Sequence, residues 1–253
     1  MSDKVLNCLL RRPQAKWKLF CFPWAGGGAV FYANWGRNMS EDVEVHGVCL
    51  AGRESRYNEP VSSDVGHVIQ ELVSAVKGEL NGKPFAFWGH SMGAYLAFLT
   101  ANHMKKELGA EPNHLFVSGT SGPFSESRRH RTEDVTNYSE DEFIQFLRRI
   151  GGTPSEILDN KEYISIFLPA LKADFELLYN ISAENSDPMP VLSSSIHVFD
   201  GSDDAPHDLQ AWRSVSSGEF DLTILKGGHF YLKDTECSIK LQQCILQKLS
   251  LTS

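Results

Sequence analysis

The chain has 253 residues, 42% of them hydrophobic, and a formal charge of -8, which is enough apolar material for one α/β-sized core. That acidic balance excludes a broad attraction to nucleic acid or anionic membrane, since both need a basic face. Cys8, Cys21, Cys49, Cys237 and Cys244 are odd in number and lack metal-ligand spacing. With no secretory h-region and no apolar run of membrane-spanning length, they point to reduced, buried thiols in a soluble cytosolic protein.

Lys18 to Phe22 predicts the first strand, an apolar run short enough to be buried between helices. It feeds the glycine-rich loop Phe22-Pro23-Trp24-Ala25-Gly26-Gly27-Gly28. This loop has neither the Lys-Ser/Thr of a phosphate-binding P-loop nor the spacing of a dinucleotide fingerprint. Val43 to Leu50 predicts the next strand. Val65, Val68, Ile69, Leu72, Val73, Val76 and Leu80 then return to one face every three or four residues, as an amphipathic helix requires. Strands follow at Phe85 to Trp88 and His114 to Ser118, around a helical run from Met92 to Leu108. Such alternation of strand and helix predicts a mostly parallel sheet.

The alternation lapses between Gly119 and Ser195, which predicts an inserted helical lid within one catalytic domain covering residues 1–253. Ser139 and Glu142 have capping-box spacing, Phe143, Phe146, Leu147 and Ile150 form an apolar face, and Gly151-Gly152 ends that helix. Tyr163 to Tyr179 carries Ile164, Phe167, Leu168, Leu171, Phe175 and Leu178 on one broad side, with Ile166 and Leu177 outside it. That side fits a helix packed on the core or a lid lining an apolar tunnel equally well, because periodicity does not separate the two. Strands resume at Ser195 to Phe199 and Asp221 to Leu225.

Chemistry concentrates after the strand Phe85 to Trp88, where Gly89-His90-Ser91-Met92-Gly93 makes a G-x-S-x-G motif between a strand and a helix. The sharp turn exposes Ser91, and the flanking glycines allow strand and helix to approach closely. A serine hydroxyl is a weak nucleophile at neutral pH and needs a histidine base oriented by a carboxylate. Of the nine histidines, His229 in Gly227-Gly228-His229-Phe230 follows the last strand, where the loop can fold back over the sheet edge. His90 adjoins the nucleophile but is directed elsewhere by the turn. The acid belongs to Asp200-Gly201-Ser202-Asp203-Asp204, with Asp204 favoured, Asp203 its rival, and Asp200 capping the strand end. The order Ser, Asp, His matches the α/β-hydrolase arrangement. Backbone N–H groups of Met92 and Ala25 are the candidate oxyanion donors.

FPWAGGG at Phe22 to Gly28, LAGRESRYNEP at Leu50 to Pro60, KPFAFWGHSMG at Lys83 to Gly93, LPALKADFELL at Leu168 to Leu178 and GGHFYL at Gly227 to Leu232 together resemble the type II thioesterases over nearly the whole chain. The resemblance implies an α/β-hydrolase fold with a mostly parallel central sheet flanked by helices. It implies Ser91, Asp204 and His229 as the triad, Ala25 and Met92 as oxyanion donors, and the Gly119 to Ser195 insertion as the acyl-binding lid. It implies no metal or organic cofactor, and a separate enzyme that intercepts acyl chains on the acyl carrier protein of fatty acid synthase and releases them early as medium-chain acids. The chain is expected to be monomeric. Trp24 stands where microbial members usually carry histidine, and Ala51 where proline is usual; the first departure points to the vertebrate branch. Two rivals remain, a carboxylester hydrolase or lipase and a hydrolase-fold binding protein without activity. Arg53, Glu54 and Arg56 either position their loop beside the entrance or form a solvated ion-pair cluster, the second being favoured, and Arg128, Arg129, His130 and Arg131 form a basic patch that either solvates the lid or meets an acidic carrier.

Overall fold

In the computed structural model, residues 4–129, 132–151, 158–183 and 191–251 are described. Seven strands form one sheet in the order β1-β3-β2-β4-β5-β6-β7. They are β1 (Leu6–Asn7), β2 (Trp17–Phe22), β3 (Val43–Val48), β4 (Phe85–His90), β5 (His114–Ser118), β6 (Ser195–Gly201) and β7 (Phe220–Leu225). Every neighbouring pair is parallel except β1 with β3. The six strands expected from apolar runs are therefore present, and the two-residue edge strand β1 is the addition.

Side chains alternate across the sheet and build a core on each face. Phe20 and Phe22 of β2 and Phe85 and Phe87 of β4 face helices α2 (Val65–Leu80) and α3 (Met92–Leu108). Leu19, Cys21, Ala86 and Trp88 face the opposite layer, where the short helix α1 (Ala29–Ala33) supplies Tyr32 and the C-terminal helix α7 (Thr235–Leu251) supplies Leu241, Ile245 and Leu249. Helix α2 starts where the Asp64 side chain accepts from the His67 N–H at 2.8 Å, and ends at Asn81 with φ 48°. Its Val65, Val68, Ile69, Leu72, Val73 and Val76 are buried as the spacing predicts.

Between β5 and β6 come α4 (Glu126–Arg129), α5 (Glu140–Ile150) and α6 (Lys161–Ala183). The capping box on α5 is formed, with the Ser139 N–H donating to Glu142 Oε2 at 2.8 Å, and Gly151 closes the helix at φ 76°; Gly152 lies outside the described residues. Phe143, Phe146 and Leu147 pack with Ile164, Leu168 and Leu171 of α6 in a third apolar cluster. Leu177, expected outside the apolar side of its helix, is 1% exposed and joins the main core with Ile181. The reason is length: α6 runs past the lid and lays its last turns against the body, so its buried stripe rotates between two partners. Ile166, also expected outside, is exposed. Among the described residues no helix is long and apolar enough to cross a membrane.

Candidate active site

The carboxyl ends of β4 and β6 and the loop after β7 meet at one edge of the sheet, the position where open α/β sheets place their ligands. Ser91 sits between β4 and α3 at φ 55° and ψ −120°, a region that residues with a side chain rarely adopt. The strain is held from both sides. The Ser91 N–H donates to the Ser118 carbonyl of β5 at 2.8 Å, while the backbone packs so closely at Gly89 and Gly93 that an added Cβ would come within 2.2 Å of the Gly93 carbonyl oxygen in the first case and within 2.2 Å of the Phe22 carbonyl oxygen in the second.

His229 and Asp204 are brought together across 25 residues of chain, with 2.8 Å between Nδ1 and Oδ2. That contact leaves Nε2 as the remaining polar atom of the ring, and His229 shares with Ser91 the wall of one cavity of about 480 Å³. The other Asp204 oxygen accepts from the Ala205 N–H at 2.7 Å. Burial alone would raise the Asp204 pKa; the hydrogen bond and charge of His229 outweigh it and hold the carboxyl below its ordinary value. Asp203 is exposed and accepts instead from the Ser202 hydroxyl at 2.9 Å. Its neighbour, not Asp203, meets the imidazole.

His90 is fully buried beneath this pair, its ring 4.9 Å from that of His229. Its Nδ1 lies 3.0 Å from Ser118 Oγ, which in turn lies 2.6 Å from the Tyr231 hydroxyl. Desolvation pushes the His90 pKa well below the usual imidazole value, so it packs as a neutral ring. His207, which sequence reasoning passes over, also lines the cavity. Its Nδ1 is 2.9 Å from Asp200 Oδ2 and 4.0 Å from Asp204 Oδ2. The only hint in the sequence is a histidine three positions after Asp204. Asp200, Asp204 and His207 lie close enough to be weighed as metal donors, but their facing atoms already bind one another and His229, and this pairing serves orientation of the imidazole.

The remaining candidates, Ala25 and Met92, flank Ser91. Met92 opens α3, where the first N–H groups have no intrahelical acceptor. Ala25 lines the cavity beside Gly26. The Ala25 loop is fixed by a group that the sequence does not announce. Asp174 of α6 accepts from the Gly26 N–H at 2.7 Å and forms a two-pronged pair with Arg53, both contacts at 2.7 Å; Arg53 also donates to the Gly27 carbonyl at 2.9 Å. Glu54 receives the N–H groups of Ala29 and Val30 at the start of α1. The expected solvated cluster is therefore overturned: the Arg53 and Asp174 side chains are 10% and 4% exposed. Arg56 is likewise buried, clasping Glu71 and the Cys49 carbonyl. Charges go inside here because each finds a forked carboxylate partner, although Arg53 Nε is left without an acceptor.

Asp174→Ala leaves Arg53 buried without its counter-charge. The expected cost is roughly 3–5 kcal/mol, a fall of about 10 °C in melting temperature for a domain this size. The double variant Arg53→Met/Asp174→Leu is expected to regain most of the stability without regaining turnover, because the Gly26 N–H still lacks its acceptor. Calorimetry beside steady-state rates separates the two effects; full recovery of turnover in the double variant would contradict the role assigned to this anchor.

The apolar side of the cavity comes from the lid. Leu147 and Ile150 of α5 and Phe167, Leu171 and Phe175 of α6 face Trp24 and Phe230 across the opening. Leu171 also touches the Ala25 loop, since a Cβ on Gly26 would come within 2.8 Å of its Cδ1. The lid-facing and core-packing alternatives for this helix are thus both realised, its forward half bordering the cavity and its rear half packing on the body.

A family model described as a thioesterase domain matches residues 17–242. The rat S-acyl fatty acid synthase thioesterase, medium chain, is 39% identical over 252 residues, covering 100% of this chain and 95% of that protein. Its human counterpart is 37% identical, with 100% and 94% covered. Among solved structures, human thioesterase 2 superposes with a TM-score of 0.75 at 32% identity, covering 94% of this chain and 98% of that one. The type II thioesterase BorB from the borrelidin biosynthetic cluster gives 0.78 at 28%, covering 99% and 98%.

Proposed function

The chain belongs to the thioesterase family, and on that premise we propose that it hydrolyses fatty acyl thioesters carried by the acyl carrier protein of fatty acid synthase, with Ser91, His229 and Asp204 as its triad. The observation that carries this reading is a strained serine and a carboxylate-bound histidine opening onto one cavity whose far wall is apolar. The polar end suits acyl transfer and the apolar end a hydrocarbon tail.

Ser91 Oγ attacks the thioester carbonyl while His229 Nε2 takes its proton. The carbonyl oxygen becomes an oxyanion against the N–H groups of Ala25 and Met92. As the C–S bond breaks, His229 returns the proton to the departing pantetheine sulfur. Water then gives a proton to the same nitrogen and attacks the acyl-Ser91 ester, and collapse of the second tetrahedral species returns that proton to Ser91 Oγ and frees the fatty acid. Asp204 keeps Nδ1 protonated and stabilises the imidazolium formed in each half-reaction. None of these steps calls for a metal or an organic cofactor.

The test is turnover of acyl carrier protein thioesters against simple oxygen esters of the same acyl group; preference for the esters would move the assignment to a carboxylester hydrolase. The cavity also predicts where chain length is read. Leu171→Trp is expected to shift the preferred substrate toward shorter acyl chains, because the larger side chain fills the space between α6 and the Ala25 loop. Overpacking costs about 1–3 kcal/mol, so product profiles are compared on variants shown to be folded. An unchanged profile in a folded variant would place the tail elsewhere.

A further inference from the structure

A second cavity, sharing no lining residue with that of Ser91, opens between α3, α4 and the end of α6. It encloses about 60 Å³, and its walls include Phe98, Leu99, Phe124, Ile181 and Val191. Against this apolar surface lies a charge. Arg128 is 7% exposed, with its guanidinium carbon 3.7 Å from the centre of the Tyr95 ring and Nη1 donating to the Pro123 carbonyl at 3.0 Å. Its Nε and Nη2 have no hydrogen-bond partner and are closed off from solvent by the surrounding walls, so a ligand reaches them only when those walls part. Among the described residues no carboxylate forms an ion pair with it, and desolvation lowers its pKa. The basic patch expected on the surface at this point is thus turned inward at its first member; His130 and Arg131 lie outside the described residues.

A buried cation without a counter-charge is costly, and the shape of its unsatisfied edge identifies the chemistry that would pair with it. Nε and Nη2 lie on the same edge of the guanidinium and present two parallel N–H donors, the geometry that receives both oxygens of a carboxylate. The walls favour an apolar tail behind that head group. We propose that Arg128 anchors a second binding site for a fatty acid, the carboxylate on the Nε/Nη2 edge and the first carbons against Phe98 and Ile181. The site stands on Arg128 and its walls alone; that its occupant is the enzyme's own product rests on the function proposed above.

The experiment uses the whole enzyme treated with decanesulfonyl fluoride, whose chain occupies the Ser91 cavity once the sulfonyl group is attached. Mass spectrometry of the adduct reports on Ser91 independently of the binding measurement. Calorimetric titration of the blocked enzyme with decanoate is expected to reveal one remaining site. Arg128→Met should weaken it by about ten-fold or more while leaving the melting temperature of the unliganded protein unchanged or raised, since the variant removes a buried unpaired charge. Ser182→Phe, which narrows the cavity and keeps Arg128, should weaken it similarly. Methyl decanoate should not bind, and acetate only far more weakly. Binding that survives Arg128→Met, equal binding of the methyl ester, or acetate matching decanoate would each overturn the proposal.

Discussion

Ser91→Ala is expected to lower kcat by roughly 10⁴–10⁶, the scale lost when a serine hydrolase loses its nucleophile, and to abolish the acyl-enzyme seen by mass spectrometry. Stability should hardly change. The backbone at this position stays at φ 55°, as strained for alanine as for serine, and what holds it, the Ser91 N–H bond to the Ser118 carbonyl and the close backbone packing at Gly89 and Gly93, does not involve the hydroxyl. Ser91→Gly offers a second reading of the same site. Glycine adopts this conformation without the Cβ penalty, so it should be equally inactive yet melt higher than the alanine variant. An acyl adduct persisting on either protein with near-normal turnover would show that another residue is acylated.

Asp204→Asn is expected to lower kcat by roughly 10²–10⁴, below the upper end known for serine proteases because a thiolate departs more readily than an amine. The volume is nearly unchanged, but an amide can donate to Nδ1 and so stabilise the tautomer that carries its proton on Nε2, where a general base must be free. Asp203→Asn should lose far less, since that side chain is exposed and bound to Ser202. His207 introduces a further expectation. It sits 4.0 Å from Asp204 Oδ2, so part of the lost function in Asp204→Asn should return where His207 and Asp200 can reorganise, which keeps the loss finite. Steady-state rates at several pH values, on proteins verified as folded, rank the two variants; the reverse order would give the role to Asp203.

Much of this was legible in the chain because the signals were local. Runs of β-branched and aromatic residues marked the six long strands to within one or two positions, and the G-x-S-x-G turn announced its own backbone. Leu6–Asn7 escaped because two residues carry no period, and it exists only by pairing with β3. Asp174 escaped for another reason: it lies 121 residues from Arg53, and a carboxylate on a helix looks solvated until its partner is known. The same ignorance made Arg53 and Arg128 read as surface charges. Burial of an ionised group is decided by who comes to meet it in space, and a single sequence holds no record of that meeting. The thioesterase motifs LAGRES and LPALKADFELL contained both halves of the Arg53 pair, without stating that they touch.

The position of Asp174 has a mechanical meaning. Helix α6 behaves as a beam with a fixed end, its rear anchored by Leu177 and Ile181 in the body and its middle riveted through Asp174 to the loop beside Ser91. A beam so mounted deflects only along its free length, which begins ahead of Asp174 and contains Pro169, where the missing backbone donor already weakens the helix. Widening of the cavity for a bulky acyl group must therefore come from the span before Pro169 and from α5, while the Ala25 loop stays in place. Substitutions along that free length can alter which tails are admitted with little effect on the chemical step.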